Sequence, residues 1–336
     1  MIQKGVNQLR KWSFIICLFL LVFVTACSKS EQSNQLEPVT VVLDWTPNTN
    51  HTGLYVAKAK GYFKEQGLDV KMMQPESVTA EQLVAKGKAN FGISTQESLT
   101  FARMQGIPLV SIAAIIQHNT SGFASTIDKK IDRPKAFAGK VYGGFGSPVE
   151  KPIIDTLMKQ DGAASQSVRI NNVGNVDFFH ALKKGIDFMW IYQGWTGIEA
   201  ELRGLKLNMV YLTDYSKDLD YYTPILATNE QQIKKDPATV KKFMAAVSKG
   251  YQFAIQHPEQ AADILIKEEK DLNPALVKKS QLWLSKKYQD DAAVWGWQKK
   301  EVWENYTNWL RKNQLIKGKY DPNQAYTNQF IPQKAK

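Results

Sequence analysis

The sequence predicts an α/β fold with two similarly wound lobes, and three observations carry this prediction. Apolar runs of strand length alternate with helical patterns between residues 40 and 192, which is typical of β-α-β units and largely parallel sheets. Two segments share one phrase: LVAKGKANFGI at residues 83–93 and ALKKGIDFMWI at residues 181–191. Finally, a chain of 336 residues exceeds the usual size of a single hydrophobic core.

Two sets of alternating elements follow one another along the chain. In the first set we expect strands at residues 40–45, 68–73, 91–94 and 109–116 and helices at residues 80–86 and 98–105. In the second set we expect strands at residues 140–142, 168–171 and 188–192 and helices at residues 150–160 and 177–184. Each shared phrase runs from a helix end through Lys-Gly into a strand, and this glycine supplies a left-handed C-cap.

The last third of the chain reads as almost wholly helical. A strand at residues 225–228 comes first, and Pro237, Pro258 and Pro274 then stand where the first turn of a helix tolerates proline. We expect these helices at residues 238–255, 259–267 and 275–284, and a further aromatic-rich helix at residues 295–313. The aromatic stripe of that last helix, with Trp295, Trp303, Tyr306 and Trp309, is more typical of core packing than of a ligand site.

Residues 1–26 read as a secretory signal peptide. A basic start is followed by a short apolar stretch at residues 14–24 and by Val-Thr-Ala-Cys ending at Cys27. The cysteine after small residues resembles a bacterial lipobox, which implies cleavage before Cys27 and a lipid on its sulfur. Residues 27–38 are rich in Ser, Gln and Asn and have the composition of a flexible tether.

Charge and cysteine content exclude several classes of function. Removing residues 1–26 takes away three positive charges and no negative ones, so the formal net charge falls from +11 to +8. The lysines are scattered and no basic run interleaves with aromatics, so we expect no nucleic-acid partner. With Cys17 removed and Cys27 lipidated, the mature domain holds no disulfide, cysteine metal site or cysteine nucleophile.

Polar and aromatic residues follow most of the predicted strands. In open parallel α/β sheets, ligands bind beyond the carboxyl ends of the strands, so these junctions are the candidate ligand site. The candidate ligand-binding residues are Asp44, Trp45, Asn50, His51, Gln96, Gln117, His118, Gly144, Gly146, Ser147, Tyr192, Gln193, Trp195 and Glu199. The junctions are rich in amides and aromatics and poor in Lys and Arg, so they favour a flat, hydrogen-bonding, roughly uncharged molecule.

Several of these residues also have a purely structural interpretation. Trp45 could cap the core, and His51 and His118 could be loop residues that hydrogen-bond without touching a ligand. The glycines of YGGFGSPVE could only make the strand-to-helix turn, although they also let backbone N–H groups approach a ligand. Trp195 and Glu199 share a helix face and could pack between lobes. No metal-binding histidine pair or nucleophile elbow is present in the sequence, so we expect no metal, no cofactor and no enzyme activity.

Six phrases resemble one family in combination: LDWTPNTNHTGLYVAKAKGYFKEQGLDV, QLVAKGKANFGIS, GIPLVSIAAIIQHNTSGF, YGGFGSP, WIYQGWTGIEAELRG and LDYYTPILATNE. They look like the periplasmic-binding-protein family that includes the binders of thiamine pyrimidine precursors in bacterial ABC importers. The resemblance covers residues 39–332. KGYFKEQGLDV alone is less specific, because binders of nitrate, taurine and aliphatic sulfonates share it.

The resemblance implies a type II periplasmic-binding-protein fold, with two doubly wound lobes that close on a ligand by hinge motion. Its two crossovers would lie near residues 125–132 and 213–220, giving a first lobe of residues 39–128 and 216–336, with the extra C-terminal helices, and a second lobe of residues 129–215. The implied partners are a small heterocyclic ligand, an ABC permease with its ATPase, and the membrane through a lipid on Cys27 at its extracytoplasmic face. We expect a monomer.

The resemblance also implies roles and alternatives. Trp45 would stack on the pyrimidine ring, the amides of Asn50, Gln117 and Gln193 would read its nitrogens, and the N–H groups of residues 143–147 would hold a formamide oxygen. The same superfamily contains fungal pyrimidine precursor synthases, but Ser94 and Ser98 stand where we align the lysine and histidine of those enzymes. Binding of an alkanesulfonate, taurine or nitrate is the other alternative.

Overall fold

The computed structural model describes residues 35–75, 77–164 and 168–333. The predicted signal peptide, the lipidated Cys27 and most of the tether lie outside the described residues. The tether was expected to run to residue 38, but strand β1 already begins at Glu37. Glu37 and Pro38 pair with Leu68 and Asp69 of the neighbouring strand, so they belong to the folded unit.

The first sheet has five strands in the order β2-β1-β3-β10-β4. Their bounds are β1 Glu37–Val42, β2 Leu68–Met73, β3 Phe91–Ser94, β4 Leu109–Ala114 and β10 Ile225–Asn229. β1 pairs in parallel with β2 and β3, whereas β10 runs antiparallel between β3 and β4. β4 and β10 are buried along their whole length. This explains why their sequences are mostly apolar and do not alternate between apolar and polar residues.

The second sheet repeats this plan with the order β7-β6-β8-β5-β9. Its strands are β5 Ser121–Thr126, β6 Val141–Gly144, β7 Arg169–Asn172, β8 Phe188–Tyr192 and β9 Leu207–Tyr211. β6 pairs in parallel with β7 and β8, and β5 runs antiparallel between β8 and β9. The predicted pair of similarly wound α/β lobes is confirmed by these two sheets.

Helices cover both sheets. In chain order they are α1 Thr52–Ala59, α2 Tyr62–Glu65, α3 Ala80–Ala85, α4 Gln96–Met104, α5 Glu150–Gln160, α6 Phe178–Lys183, α7 Ile198–Leu202, α8 Glu230–Lys235, α9 Pro237–Gln256, α10 Pro258–Glu268, α11 Pro274–Leu284 and α12 Lys300–Lys312. As expected, α9, α10 and α11 each begin with proline at the first helical position. Within the described ranges, every helix is too short or too polar to cross a membrane.

The chain passes between the sheets twice, and the first passage lies earlier than expected. The expected position is near residues 125–132, but Ser121–Thr126 already forms β5 of the second sheet, so the first passage falls between Ala114 and Ser121. The lobe boundary at residue 128 therefore moves upstream. The second passage runs from β9 to β10 and includes the expected residues 213–220.

The C-terminal aromatic residues form core, as the sequence predicted. Trp295, Trp303 and Tyr306 are fully buried, and Trp309 is nearly so. The predicted helix at residues 295–313 starts too early, because α12 begins at Lys300. Trp295 instead lies in an irregular segment, where its indole stacks on Tyr251 and its Nε1–H donates to the carbonyl oxygen of Ile115.

Helices α1 and α9 pack closely behind the first sheet because of two glycines. A Cβ atom at Gly53 would overlap the ring of Tyr251, and one at Gly250 would overlap the carbonyl oxygen of Gly53. Tyr251 also donates its hydroxyl to the carbonyl oxygen of Asn50 at 2.6 Å. This packing therefore fixes the start of α1 and the loop before it, which carries part of the site.

Candidate functional site

A cavity of about 400 Å³ lies where the strand ends of both sheets meet. Its walls come from the segments after β1, β3 and β4 of the first sheet, from the segments after β6, β7 and β8 of the second sheet, and from the second passage between them. The lining residues are Asp44, Trp45, Asn48, Asn50, Thr95, Ile116, Thr120, Phe145, Asn175, Val176, Asp177, Phe178, Met189, Trp190, Ile191, Tyr192, Gly194, Trp195, Thr196, Glu199, Thr223, Pro224 and Leu284. A volume of this size suits a small organic molecule.

Aromatic side chains are exposed to this cavity. Trp45 is 52% exposed, Phe145 43% and Tyr192 40%, and all three line the cavity. Tyr192 bonds through its hydroxyl to Thr223 Oγ1 at 3.2 Å. Desolvation of the phenol raises its pKa to about 12, although this hydrogen bond acts in the opposite direction. Large aromatics exposed together in a concave site are typical of surfaces that receive a flat ligand.

Asp44 is held at the cavity by a histidine beneath it. His51 is fully buried in the first turn after Asn48, and its Nδ1 accepts the backbone N–H of Asn48 at 3.2 Å. Its Nε2 must then carry the proton, which it donates to Asp44 Oδ1 at 2.7 Å. Asp44 is thereby oriented as a hydrogen-bond acceptor, and His51 acts behind the cavity wall and not as part of it.

Two further carboxylates line the opposite side of the cavity. Glu199 on α7 accepts a 3.0 Å hydrogen bond from Nε of Arg203, whose guanidinium lies 3.9 Å from the centre of the Phe179 ring. Asp177 is the N-cap of α6 and accepts the N–H of His180 at 2.9 Å. Both side chains are thus fixed by contacts within the second sheet's own elements.

The cavity lining carries acidic groups and no basic ones among the residues that the structure describes. Asp44, Asp177 and Glu199 are acidic residues of the lining, and no lysine, arginine or histidine of the described ranges lines the cavity. In the described part of the chain, no cluster of three or more His, Cys, Asp or Glu side chains is arranged to hold a metal ion. The arrangement therefore favours ligands with N–H donors over anions.

Glu97 connects the two sheets just beyond the cavity. Its Oε1 accepts the hydroxyl of Ser147 at 3.0 Å, and its Oε2 accepts the hydroxyl of Tyr306 at 3.3 Å. Burial raises the pKa of this carboxyl to about 7, and the nearby carboxylate of Glu150 adds to the rise. Glu97 therefore changes its protonation state near neutral pH at a contact that joins the lobes.

The glycine-rich loop after β6 is held by Glu150, contrary to our expectation that it binds ligand through its amides. The N–H groups of Phe145 and Gly146 already donate to this buried carboxylate at 2.7 and 3.1 Å. A Cβ atom at Gly144 would lie 2.8 Å from Glu150 Oε2. Gly144, Gly146 and Ser147 lie outside the cavity lining, and the loop presents Phe145 to it instead.

Three glutamines expected at the site are bonded elsewhere. Gln96 is buried, donates to the carbonyl oxygen of Val302 and accepts the N–H of Tyr222. Gln117 donates to the carbonyl oxygen of Trp297 at 3.0 Å. Gln193 precedes α7 and donates its amide to Glu201 Oε1 on that helix at 3.1 Å. Each amide satisfies protein groups, and none of the three lines the cavity.

His118 lies in the first passage between the sheets, where it contacts the second passage, and it does not line the cavity. Its Nδ1 bonds to Asp220 Oδ2 at 2.7 Å, and its Nε2 lies 3.3 Å from Asp291 Oδ1. The hydrogen bond with Asp220 is the main cause that raises the pKa of this imidazole. Asn119 donates to the carbonyl oxygen of Leu219 at 2.9 Å, so adjacent residues tie the two passages together.

Comparison with known proteins agrees with this architecture. The family model described as NMT1/THI5 like matches residues 48–261, which is more than half of the chain. The chain belongs to the NMT1/THI5-like family. The formylaminopyrimidine-binding protein of Halalkalibacterium halodurans is 27% identical over 90% of this chain and 94% of that protein.

Enzymes are also among the proteins to which this chain is similar. The 4-amino-5-hydroxymethyl-2-methylpyrimidine phosphate synthase THI11 of Saccharomyces cerevisiae is 25% identical over 88% of each chain. Among solved structures, the periplasmic aliphatic sulphonate binding protein SsuA of Escherichia coli has a TM-score of 0.67 at 15% identity, over 86% of this chain and 91% of that one. The predicted periplasmic-binding-protein fold and the family resemblance are thus confirmed.

Six of the expected residues line the cavity of this NMT1/THI5-like fold: Asp44, Trp45, Asn50, Tyr192, Trp195 and Glu199. Others that line the cavity were not singled out. Thr95 directly follows β3, Thr120 directly precedes β5, and Asn175 lies three residues beyond β7, so all three are strand-end residues that were left out of the candidate set. Leu284 ends a helix, and its place in the cavity lining has no counterpart in the local sequence pattern.

Proposed function

We propose that this chain is the substrate-binding protein of an ABC importer and captures an aminopyrimidine precursor of thiamine, of the formylaminopyrimidine or hydroxymethylpyrimidine type. The ligand enters the cavity between the lobes, the lobes close on it by hinge motion, and the closed protein delivers it to the permease and its ATPase. The chain acts as a monomer without a cofactor and performs no chemistry on the ligand.

One observation carries this proposal: the cavity combines exposed aromatic rings with three carboxylates and, among the described residues, no basic side chain. A pyrimidine presents a flat face for stacking and an amino group whose N–H bonds need acceptors. The 27% identity to a formylaminopyrimidine-binding protein along almost the whole of both chains supports the same ligand class.

Each wall of the cavity has a proposed role. Trp45 stacks on the pyrimidine ring, and Tyr192 and Trp195 cover it from the second sheet. Asp44 accepts N–H bonds from the ring edge, and Asn50, which also lines the cavity, offers both a donor and an acceptor. The amides of Gln117 and Gln193 have no role in this proposal because they already donate hydrogen bonds to other groups of the protein.

An anionic ligand is the first alternative, since the fold is shared with a sulphonate binder. Sulfonate or nitrate would ask for an arginine or for free N–H groups. Among the described residues, no arginine lines the cavity, and its basic neighbour Arg203 is bound to Glu199. The loop amides of Phe145 and Gly146 are bound to Glu150. The three lining carboxylates would repel such a ligand.

A pyrimidine precursor synthase is the second alternative, since such enzymes are relatives. The resemblance aligns their reactive lysine and histidine with Ser94 and Ser98 of this chain. Ser94 is buried and donates its hydroxyl to Glu81 at 2.6 Å, and Ser98 lies exposed on α4. A serine forms no imine with pyridoxal phosphate, so these positions disfavour the enzyme reaction.

The extracytoplasmic location belongs to the same proposal. The signal peptide directs the chain out of the cytoplasm, and the lipid on Cys27 holds it at the outer face of the cell membrane. Incorporation of labelled palmitate into the full-length chain tests this step. A Cys27→Ala variant serves as control and should release the protein into the medium without labelling.

Thermal-shift measurements on the mature protein test the ligand class. Formylaminopyrimidine and hydroxymethylpyrimidine at saturating concentration should each raise the melting temperature by several degrees, whereas taurine and nitrate should leave it unchanged. A shift with taurine or nitrate alone would reject the proposal. An imine absorbance band after addition of pyridoxal phosphate would favour the enzyme alternative.

A further inference from the structure

The two lobes touch each other in two places besides the passages that connect them. In the first, Ser147 after β6 of the second sheet donates its hydroxyl at 3.0 Å to Glu97 on α4 of the first lobe. In the second, helix α11 contacts the segment around α7, where Lys279 pairs with Glu201 at 2.8 Å and Ser280 donates to the carbonyl oxygen of Gly194. The structure therefore shows the lobes in contact, and opening them would separate these pairs.

The first of these contacts brings together two acidic side chains from opposite lobes. Glu97 belongs to the first lobe, whereas Glu150 begins α5 of the second and accepts the N–H groups of Phe145 and Gly146. Ser147, which bonds Glu97, lies in the same short loop as these two N–H groups. Two negative charges that meet in a buried contact repel each other, and a proton on Glu97 removes that repulsion.

The other titratable groups near Glu97 are phenols. They belong to Tyr192 at the end of β8, Tyr221 in the second passage and Tyr306 on α12. Burial raises the pKa of all three, that of Tyr192 to about 12, so they stay neutral at pH 8 and below. A neutral hydroxyl can donate to a charged carboxylate or accept from a protonated one, so these phenols accommodate both forms of Glu97.

Contact between the lobes changes the surroundings of the Glu97 carboxyl. Burial is the main cause that raises its pKa to about 7, and Glu150 adds to the rise, whereas the hydroxyls of Ser147 and Tyr306 act in the opposite direction. When the lobes separate, Glu150 moves away and water reaches the carboxyl, so its pKa falls toward the ordinary value of 4.5. The closed form therefore binds a proton that the open form releases near neutral pH.

We propose that Glu97 takes up a proton when the lobes close on a ligand, so that mildly acidic surroundings favour capture and alkaline surroundings favour release. The inference rests on the proposed function, because it needs a ligand that closes the lobes. It assigns the pH dependence of binding to a side chain that lies outside the cavity lining.

Calorimetric titration with formylaminopyrimidine in buffers of different ionisation enthalpy counts the protons that bind with the ligand. Linkage between a pKa of 4.5 and one of about 7 gives an uptake of about half a proton at pH 7 and an affinity that falls about tenfold from pH 6 to pH 8. The neutral amide of Glu97→Gln imitates the protonated carboxyl. This variant should therefore take up about half a proton less at pH 7 and lose most of the fall in affinity.

Two further variants test the contact between the lobes. The Ser147 hydroxyl favours the charged form of Glu97, so Ser147→Ala should increase proton uptake at pH 8. Glu259→Gln, at an exposed position on α10, is the matched control and should keep the wild-type uptake. Equal proton uptake by wild type and Glu97→Gln at pH 7 would overturn the inference and leave the proposed function intact. If the wild-type protein binds no pyrimidine at any pH, the proposed function fails and the inference fails with it.

Discussion

The buried His51 donates a 2.7 Å hydrogen bond from Nε2 to Asp44, whose carboxylate lines the cavity. The same ring accepts the backbone N–H of Asn48 through Nδ1, so one side chain connects the loop backbone to the ligand site. Asp44 therefore owes its direction to a residue that lies outside the cavity lining. This makes His51 a positioning residue, with two functions that different substitutions can separate.

Replacing His51 by Asn or Gln should separate binding from stability. Asn places an oxygen near the position of Nδ1 and loses the donor to Asp44, so ligand affinity should fall about tenfold with little loss of stability. Gln places its amide near Nε2 and leaves the Asn48 N–H unpartnered, so it should lose about 1–3 kcal/mol of stability and keep most of the affinity.

Calorimetry and denaturant unfolding measure the two effects of these His51 variants. His180→Ala, at an exposed histidine of α6, is the control and should change neither quantity through its imidazole. Equal effects of Asn and Gln on affinity would show that His51 serves only the fold.

Removal of the Trp45 ring should weaken binding without weakening the fold. The indole is 52% exposed, so Trp45→Ala loses little core packing, but it removes the stacking surface for the ligand. We expect affinity for the pyrimidine to fall by about 10- to 100-fold and the melting temperature to stay within about 2 °C of wild type. Leu282→Ala, an exposed apolar residue outside the cavity, should leave affinity unchanged. Unaltered affinity in Trp45→Ala would exclude stacking there.

The carboxyl of Glu97 should make stability depend on pH near neutrality. Its folded pKa of about 7 lies above the ordinary value of 4.5, so the folded protein holds a proton that the unfolded chain releases between these pH values. The stabilisation is full below pH 4.5 and is lost as pH rises through 7. By linkage, the loss amounts to at most about 3 kcal/mol.

Glu97→Gln should abolish this part of the pH dependence and stabilise the protein at pH 8. Unfolding in urea at pH 5, 6, 7 and 8 measures the slope, and Glu259→Gln, at an exposed position on α10, should keep the wild-type slope. His118 has a raised pKa and changes stability in the same direction, so a residual slope is expected in Glu97→Gln. A slope identical to wild type would contradict the assignment.

The glycine contact between α1 and α9 should tolerate no larger residue. Gly53→Ala forces its Cβ into the Tyr251 ring, and we expect a loss of about 1–3 kcal/mol of stability. Because Tyr251 also bonds the carbonyl oxygen of Asn50, ligand affinity should fall as well. Ala59→Ser, at an exposed position on the same helix, is the control for both measurements. Wild-type stability in Gly53→Ala would mean that the two helices move apart freely.

The sequence identified most of the fold because parallel strands and proline-started helices leave strong local patterns. It missed β5, whose sequence Ser-Gly-Phe-Ala-Ser-Thr reads as a loop, since Gly and Ser are not typical strand residues. Gly122 is needed there because a Cβ would come within 2.9 Å of the Met209 Cε and Tyr211 Cα atoms of the neighbouring strand. Missing this strand displaced the expected first passage between the lobes.

The site was predictable in position and less so in side-chain direction. Trp45, Asp44 and Tyr192, which the strand-end rule selected, line the cavity, because backbone topology alone decides where strands end. It could not show that Gln96 and Gln117 turn away to bond distant backbone groups, since those partners lie more than 100 residues further along the chain. Tertiary hydrogen bonds of this kind leave no local pattern in the sequence.

Calorimetric titration of the mature wild-type protein with formylaminopyrimidine, and separately with taurine, tests the central claim most directly. The acidic, aromatic cavity predicts saturable one-to-one binding of the pyrimidine with a dissociation constant in the micromolar range or below, and no heat of binding with taurine. Saturable binding of taurine together with no binding of the pyrimidine would contradict the account.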